Sequence, residues 1–321
     1  MFDSVLLVSF GGPEGRDDVR PFLANVLRGR RVPPERIEHV AHHYEVFGGV
    51  SPLPELTRRQ AEGLRARLAE AGHPLPVYIG MRNWHPLLPD TLARMYADGA
   101  RHAVGFIAAA HHCYSSCQQY RENVAAAQQT LRAAGHQVDV TFVGSWFDHP
   151  LFIAANVAHV RAAVHKLPPE LRGQARLVFT AHSIPTPMAA ASRYEDQLRV
   201  SAAAIAEHVG LEWALVFQSR SGRPEDPWLE PSPEDYLRRE REAGLTAAIL
   251  CPVGFVCDHI EVVYDLDREL AELCASIGLA MARAETVNDD PLFIDMMADV
   301  VLRTIARHEN GRPLPIVTPA R

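Results

Sequence analysis

Short apolar runs alternating with longer amphipathic stretches are the feature that most narrows what this chain can become. In the first half the runs are SVLLVSF, PVYIG, AVGFIAAA and VDVTFVG; in the second they are RLVFTAHS, WALVFQS, AAILCPVGF and GLAMARAE. Each is followed by a helix-like segment, which is the rhythm of parallel βαβ units. The halves match in order and spacing, so the rhythm predicts an α/β protein of two doubly wound domains whose strand-end loops can face a shared cleft. The boundary is expected where SWFDHPL interrupts the pattern, giving domains over 1–150 and 151–321, with a long helix beginning around Phe152. The proline-rich tail GRPLPIVTPAR reads as loosely ordered or packed extended.

A length of 321 residues, with 47% hydrophobic and 22% charged residues, is that of a globular protein with a substantial core and sets disorder aside. The net charge of -7, from 39 acids against 32 bases, disfavours a general nucleic-acid binder, because no basic excess is available to neutralise phosphates. MFDSVLLVSFGG carries no basic leader, and no later apolar run approaches bilayer length, so a cytoplasmic protein without a membrane span is expected. Five cysteines, an odd number, fit free thiols in a reducing compartment better than a disulfide framework.

Gly11-Gly12-Pro13-Glu14-Gly15 superficially has the look of a dinucleotide loop after the first strand. Its spacing is not GxGxxG and Glu14 would repel a pyrophosphate, so a tight strand-to-helix turn is the better reading. LVFTAHSIP places His182 at the carboxyl end of an apolar strand, where open α/β folds put their ligands and where Pro185 prevents immediate helix formation. Ser183 invites comparison with a hydrolase nucleophile, but the glycines of a nucleophile elbow are missing. In CPVGFVCDHIEVVYDLDREL, Glu261, Asp265 and Glu269 fall at i, i+4 and i+8, one helix face. Three like charges in a row need either solvent or a cation, and carboxylates with an imidazole suit a divalent ion such as Fe²⁺. HHCYSSCQQYREN gathers His111, His112, Cys113, Ser115, Ser116 and Tyr120 after a strand of the first half. Without a second cysteine pair, Cys113 and Cys117 read as ordinary thiols. LRGRRVPPERI is basic and suits either a lip that receives carboxylates or a plain soluble loop.

Taken together, SFGGPEG, RGRRVPPE, HYEVFGGVSPL, GMRNWHP, YSSCQQYREN, FTAHSIP, EDPWLEP and PVGFVCDHIEVVYDLD resemble the ferrochelatase family, in the same order and over nearly the whole chain. The resemblance implies two Rossmann-like domains, each with a parallel four-stranded sheet, enclosing a porphyrin cleft. It puts the family's histidine on His182 and its glutamate on Glu261, both also metal-handling, and continues an acidic line through Asp265 and Glu269 toward solvent. It places Arg28, Arg30, Ser51 and Tyr120 where porphyrin propionates are held, with His43 and Glu14 also contacting substrate. It implies a monomer acting on a porphyrin and Fe²⁺, with release of two protons, in haem biosynthesis.

The chain also departs from some relatives. Where these carry a tyrosine near the metal, this chain has Glu14, so an axial tyrosinate is unavailable. Members with a [2Fe-2S] cluster use one mid-chain cysteine, which Cys117 resembles, and three near the C-terminus. No cysteine follows Cys274, so no cluster is expected. A polar, arginine-bearing LRGRRVPPERIEH favours coproporphyrin III, with its four propionates, over protoporphyrin IX. The alternatives are a protoporphyrin enzyme, a cobalt or nickel chelatase of sirohydrochlorin-type rings using His111 or His112, and a non-enzymatic haem or porphyrin carrier.

Overall fold

The computed structural model describes residues 1–29, 32–221, 225–309 and 311. All eight apolar runs are strands: β1 (Ser4–Ser9), β2 (Val77–Met81), β3 (His102–Ile107), β4 (Asp139–Phe142), β5 (Arg176–His182), β6 (Trp213–Gln218), β7 (Ala247–Cys251) and β8 (Ala280–Arg283). They form two four-stranded sheets, ordered β2-β1-β3-β4 and β6-β5-β7-β8, with every pairing parallel. The two sheets therefore repeat one topology, as the repeated rhythm predicts. The continuous apolar character has its cause in burial: β1 and β7 are buried along their whole length, whereas the edge strands β4 and β8 are mostly half-exposed.

The chain divides into two compact units, whose boundaries differ from a single cut at 150. The first unit takes residues 1–108, 117–144 and, beyond them, 294–309 of the last helix, Pro291–Glu309; the second takes 109–116 and 145–293. The late return has a physical reason. Arg67, on the helix Leu53–Glu70, pairs with Asp295 at 2.6 Å, and Phe2 packs 4.9 Å from the His308 ring. A reading that proceeds along the chain does not see such a return. The proline-rich tail, except Gly311, and Arg30 lie outside the described residues. Among the described residues no helix is long and apolar enough to cross a membrane.

In the first unit the glycine segment after β1 is a turn. Gly11 has φ +89°, and a Cβ there would lie 2.9 Å from the Trp84 backbone nitrogen. The helix that follows, Arg16–Val26, opens with Asp17 and Asp18, and the Glu14 amide donates to Asp18 Oδ2. Its first turn is thus occupied by the chain's own carboxylates.

In the second unit β5 and β7 are neighbours at the point where strand order reverses, the place where doubly wound sheets open for ligands. The chain leaving β7 turns back over the end of β5: Gly254 N–H donates to Thr180 O at 3.1 Å. A Cβ on Gly254 would come within 2.5 Å of Ala181 Cβ. Only glycine lets the two backbones approach so closely. Gly254→Ala is expected to lower stability by about 1–3 kcal/mol, the usual cost of overpacking, in a urea titration. An unchanged midpoint would show that the loop can move aside freely.

Candidate active site

His182 is the last residue of β5, and Pro185 delays the next helix, Thr186–Ala190, so the imidazole is left on the sheet's rim. Its backbone is fixed from three sides. Tyr194 OH donates to His182 O at 3.0 Å, the Ser183 amide donates to Gln218 O at 2.7 Å, and Ser183 Oγ donates to Leu229 O at 2.8 Å. These bonds commit Ser183 to structure, in keeping with its missing elbow. His182 Nδ1–H donates to Ser183 O, which sets the tautomer and leaves Nε2 with its lone pair. Nε2 lies 3.8 Å from Glu261 Oε2. Neither side chain is buried: 34% of the His182 side chain and 46% of Glu261 remain exposed, so both are open to a ligand.

Glu261 is aimed by the loop that Gly254 admits. The helix Ile260–Tyr264 begins at His259, whose Nδ1 accepts from the Glu261 amide at 3.2 Å. Burial holds the His259 pKa below its ordinary value, against the opposing pull of Glu261. His259 is therefore a neutral cap, which leaves His182 as the imidazole with an accessible lone pair.

The acidic row is present, but not on a plain α-helix. Residues Asp265–Leu270 form a π-helical stretch. In an α-helix each four-residue step overshoots a full turn by about 40°, so a row at i, i+4, i+8 drifts sideways. A π turn holds more than four residues, so the step from Asp265 to Glu269 falls short and rotates back. Glu269 is exposed and Asp265 is half-buried. Ser219 Oγ donates to Asp265 Oδ2 at 2.6 Å, and Gln218 Nε2 donates both to that oxygen at 3.2 Å and to Glu261 O at 3.0 Å. Burial pushes the Asp265 carboxyl up to about 7; the Ser219 and Gln218 hydrogen bonds oppose it, and the nearby charges of Glu261 and Glu269 add to it. Asp265 can thus hold or release a proton near neutrality. Ser219 reaches it from a left-handed backbone, φ 60°, which a serine adopts only at a cost.

Among the described residues no group of three or more His, Cys, Asp or Glu side chains is gathered closely enough to hold a metal by itself. The site has an imidazole and three carboxylates at successive turns of one helical segment.

Of the remaining sequence candidates, Glu14, Arg28, His43, Ser51, Cys117 and Tyr120 belong to the first unit, and His111 and Cys113 to the second. Glu14 is exposed and ion-paired with Arg58, and Ser51 is buried against the glycine turn, its amide donating to Pro13 O at 2.8 Å. Tyr120 is buried with the Arg82 guanidinium 5.4 Å from its ring centre, and His43 stacks edge-on with His39 at 4.6 Å. Arg28 is exposed and donates to Asn25 Oδ1 at 2.6 Å. His111, a candidate second histidine, is 2% exposed and bonded to Ser201 Oγ at 3.0 Å; burial drives its pKa down to about 3. It is a packed neutral core residue. Cys113 and Cys117 take part in no disulfide. Gln218 and Ser219 were not singled out by sequence reasoning, although the end of an apolar strand, WALVFQS, was the available signal.

The ferrochelatase family model matches residues 3–305. Among curated relatives, a coproporphyrin III ferrochelatase of Mycolicibacterium smegmatis is 48% identical over 307 residues, covering 94% of this chain and 89% of the relative. A coproporphyrin III ferrochelatase of Streptomyces griseus is 45% identical, covering 97% and 87%. A ferrochelatase of Rhodopirellula baltica is 44% identical, covering 95% and 87%. Among solved structures, the sirohydrochlorin chelatase SirB of Bacillus subtilis with Fe³⁺ is similar at TM-score 0.59 and 14% identity, covering 97% of this chain and 98% of that one. At that identity the likeness is one of fold.

The Asp265 shift makes a pH prediction independent of any ligand. The folded pKa lies above the unfolded value, so the native state holds an extra proton between about pH 4 and 7. The associated stability is full below pH 4 and lost as pH rises through 7. Asp265→Asn does not titrate, so its melting temperature relative to the parent should rise between pH 5 and pH 8. A difference independent of pH would contradict the shift.

Proposed function

The chain belongs to the ferrochelatase family, and from that premise we propose that it inserts Fe²⁺ into coproporphyrin III, with His182 Nε2 accepting the pyrrole protons and Glu261 as its partner. The observation that carries the assignment of roles is the pair itself: an imidazole whose Nδ1 is held by a carbonyl and whose Nε2 lies 3.8 Å from a carboxylate, at the open rim of a sheet. Insertion requires removing two protons from pyrrole nitrogens that are weak acids in a planar ring and whose lone pairs do not point at an approaching ion. A puckered macrocycle answers both difficulties, and binding energy from the propionates and ring faces supplies the distortion. A pyrrole N–H tilted toward His182 then meets an imidazole nitrogen, the side-chain group that most often serves as a general base.

The imidazolium so formed is stabilised by Glu261 and relieved by passing its proton along Asp265 and Glu269 to water. Asp265, half-buried and poised near neutrality, is suited to the middle of that row. Fe²⁺ is a substrate whose final ligands are the four ring nitrogens, so a row of carboxylates that does not close into a cage fits both proton exit and ion entry. His182 and Glu261 form the end of the row where the ion would be handed over.

Coproporphyrin III is favoured by the names of the Mycolicibacterium and Streptomyces relatives and by the exposed Arg28 in a basic segment, since four propionates gain more than two from guanidinium contacts. Ser51, Tyr120, His43, Glu14 and Arg30 remain the proposed substrate-contacting positions of the first unit. A cytoplasmic monomer working without a [2Fe-2S] cluster completes the reading; Cys113, Cys117, Cys251, Cys257 and Cys274, none in a disulfide, suit a reducing compartment.

The test is anaerobic Fe²⁺ insertion with the two porphyrins side by side. Coproporphyrin III should give the higher kcat/KM; a preference for protoporphyrin IX would overturn the substrate assignment. His182→Ala should keep porphyrin binding yet lose at least about 100-fold in turnover, the scale of general-base loss. Glu261→Gln should be similarly impaired, while Arg28→Ala should chiefly raise the porphyrin KM. Near-normal turnover by His182→Ala would remove the histidine from the chemistry.

A further inference from the structure

The segment that carries His259, Glu261 and Asp265 is held at both ends by one side chain. Arg283, the last residue of β8, is 13% exposed at its side chain. Its Nη1 donates to Asp258 Oδ1 at 2.9 Å, just before the segment begins. Its Nε and Nη2 donate to the two oxygens of Asp267 at 2.5 and 2.7 Å, inside the π-helical stretch. This is a fork-to-fork contact, which fixes direction as well as distance. The near end is anchored further. Asn288, in a left-handed conformation with φ 43°, donates through Nδ2 to Asp258 Oδ2 and accepts the Asp258 amide on Oδ1, each at 2.9 Å.

A π-helical stretch is a rare conformation, and residues able to form it can also settle as α-helix. Relaxation to α would turn Asp267 away from its position over the sheet's edge and let Glu269 drift off the line of Glu261 and Asp265. A bidentate contact in the middle of the stretch, made by an arginine that is itself anchored on a strand and on Asp258, opposes that relaxation. Resting on the roles proposed above for Glu261 and Asp265, we propose that Arg283 is a positioning residue: through Asp258 and Asp267 it sets the π register that aligns the acidic row with His182.

Asp267→Asn is the gentler test, because it breaks the fork while leaving the Arg283–Asp258 pair. Arg283→Lys keeps the charge but not the fork, and serves as the second variant. Both are compared with Glu261→Gln in anaerobic Fe²⁺ insertion with each substrate varied, alongside circular dichroism and porphyrin binding by fluorescence quenching. Impaired turnover in Glu261→Gln, together with a kcat about 10-fold to 100-fold lower in Asp267→Asn or Arg283→Lys at unchanged porphyrin binding and helix content, is the expected result. Turnover within about twofold of the parent in both variants, with Glu261→Gln impaired, would overturn the clamp and leave the roles of the row intact. A loss of porphyrin binding or folding in proportion to turnover in both variants would reduce Arg283 to a structural residue and overturn it as well. Normal turnover in Glu261→Gln would instead overturn the roles on which the proposal rests.

Discussion

The candidate site of the second unit depends on a contact between two backbones. Gly254 N–H reaches Thr180 O, and the absent Cβ leaves room for the chain leaving β7 to cross against Ala181. The next residue of β5 is His182, and seven residues beyond Gly254 stands Glu261. Displacing the loop by the width of a methyl group would therefore part an imidazole and a carboxylate now 3.8 Å apart. Hydrogen bonds to the backbone then hold each partner: Tyr194, Gln218 and Leu229 on the histidine's side, the His259 cap on the glutamate's. Because the first unit repeats the strand order without a histidine at the end of β1, the topology alone does not make a site.

Electrostatics distinguish the two histidines and three acids of the candidate site. His259 is half-buried and caps a helix, so its lone pair is spent on a helix amide; His182 spends its N–H on a carbonyl and keeps its lone pair. Asp265 is the acid whose environment most opposes charge, and it lies between two acids that are more open. Burial thus makes Asp265 the place in the proposed row where a proton rests, and the exposure of Glu261 keeps a carboxylate available to a cation at the inner end.

Much of this was legible in the sequence, for a definite reason. Strands buried on both faces must be continuously apolar, so central strands such as β1 and β7 appear as unbroken runs whose rhythm the edge strands continue, and a polar residue at the end of such a run, like His182, stands out. Glu261 was visible because three acids at helical spacing are costly unless something uses them. What was not legible depends on parts of the chain distant in sequence. The π register of 265–270 is set against Arg283 and Ser219, and α periodicity is the only rule a local reading can apply. The left-handed Ser219, the clamp of Arg283 on Asp258 and Asp267, and the return of residues 294–309 to the first unit are all tertiary choices. His111 shows the converse, since it is conspicuous in sequence yet packed into the core.

The central claim is that His182 and Glu261 act as one proton-accepting unit. A double-mutant cycle tests it most directly, with anaerobic Fe²⁺ insertion measured for the parent, His182→Ala, Glu261→Gln and the double variant. If the two residues serve one step, the double variant should be about as slow as the slower single variant, because the second removal takes away a group already without its partner. Losses that multiply, each substitution costing the same whether or not the other is present, would contradict the account.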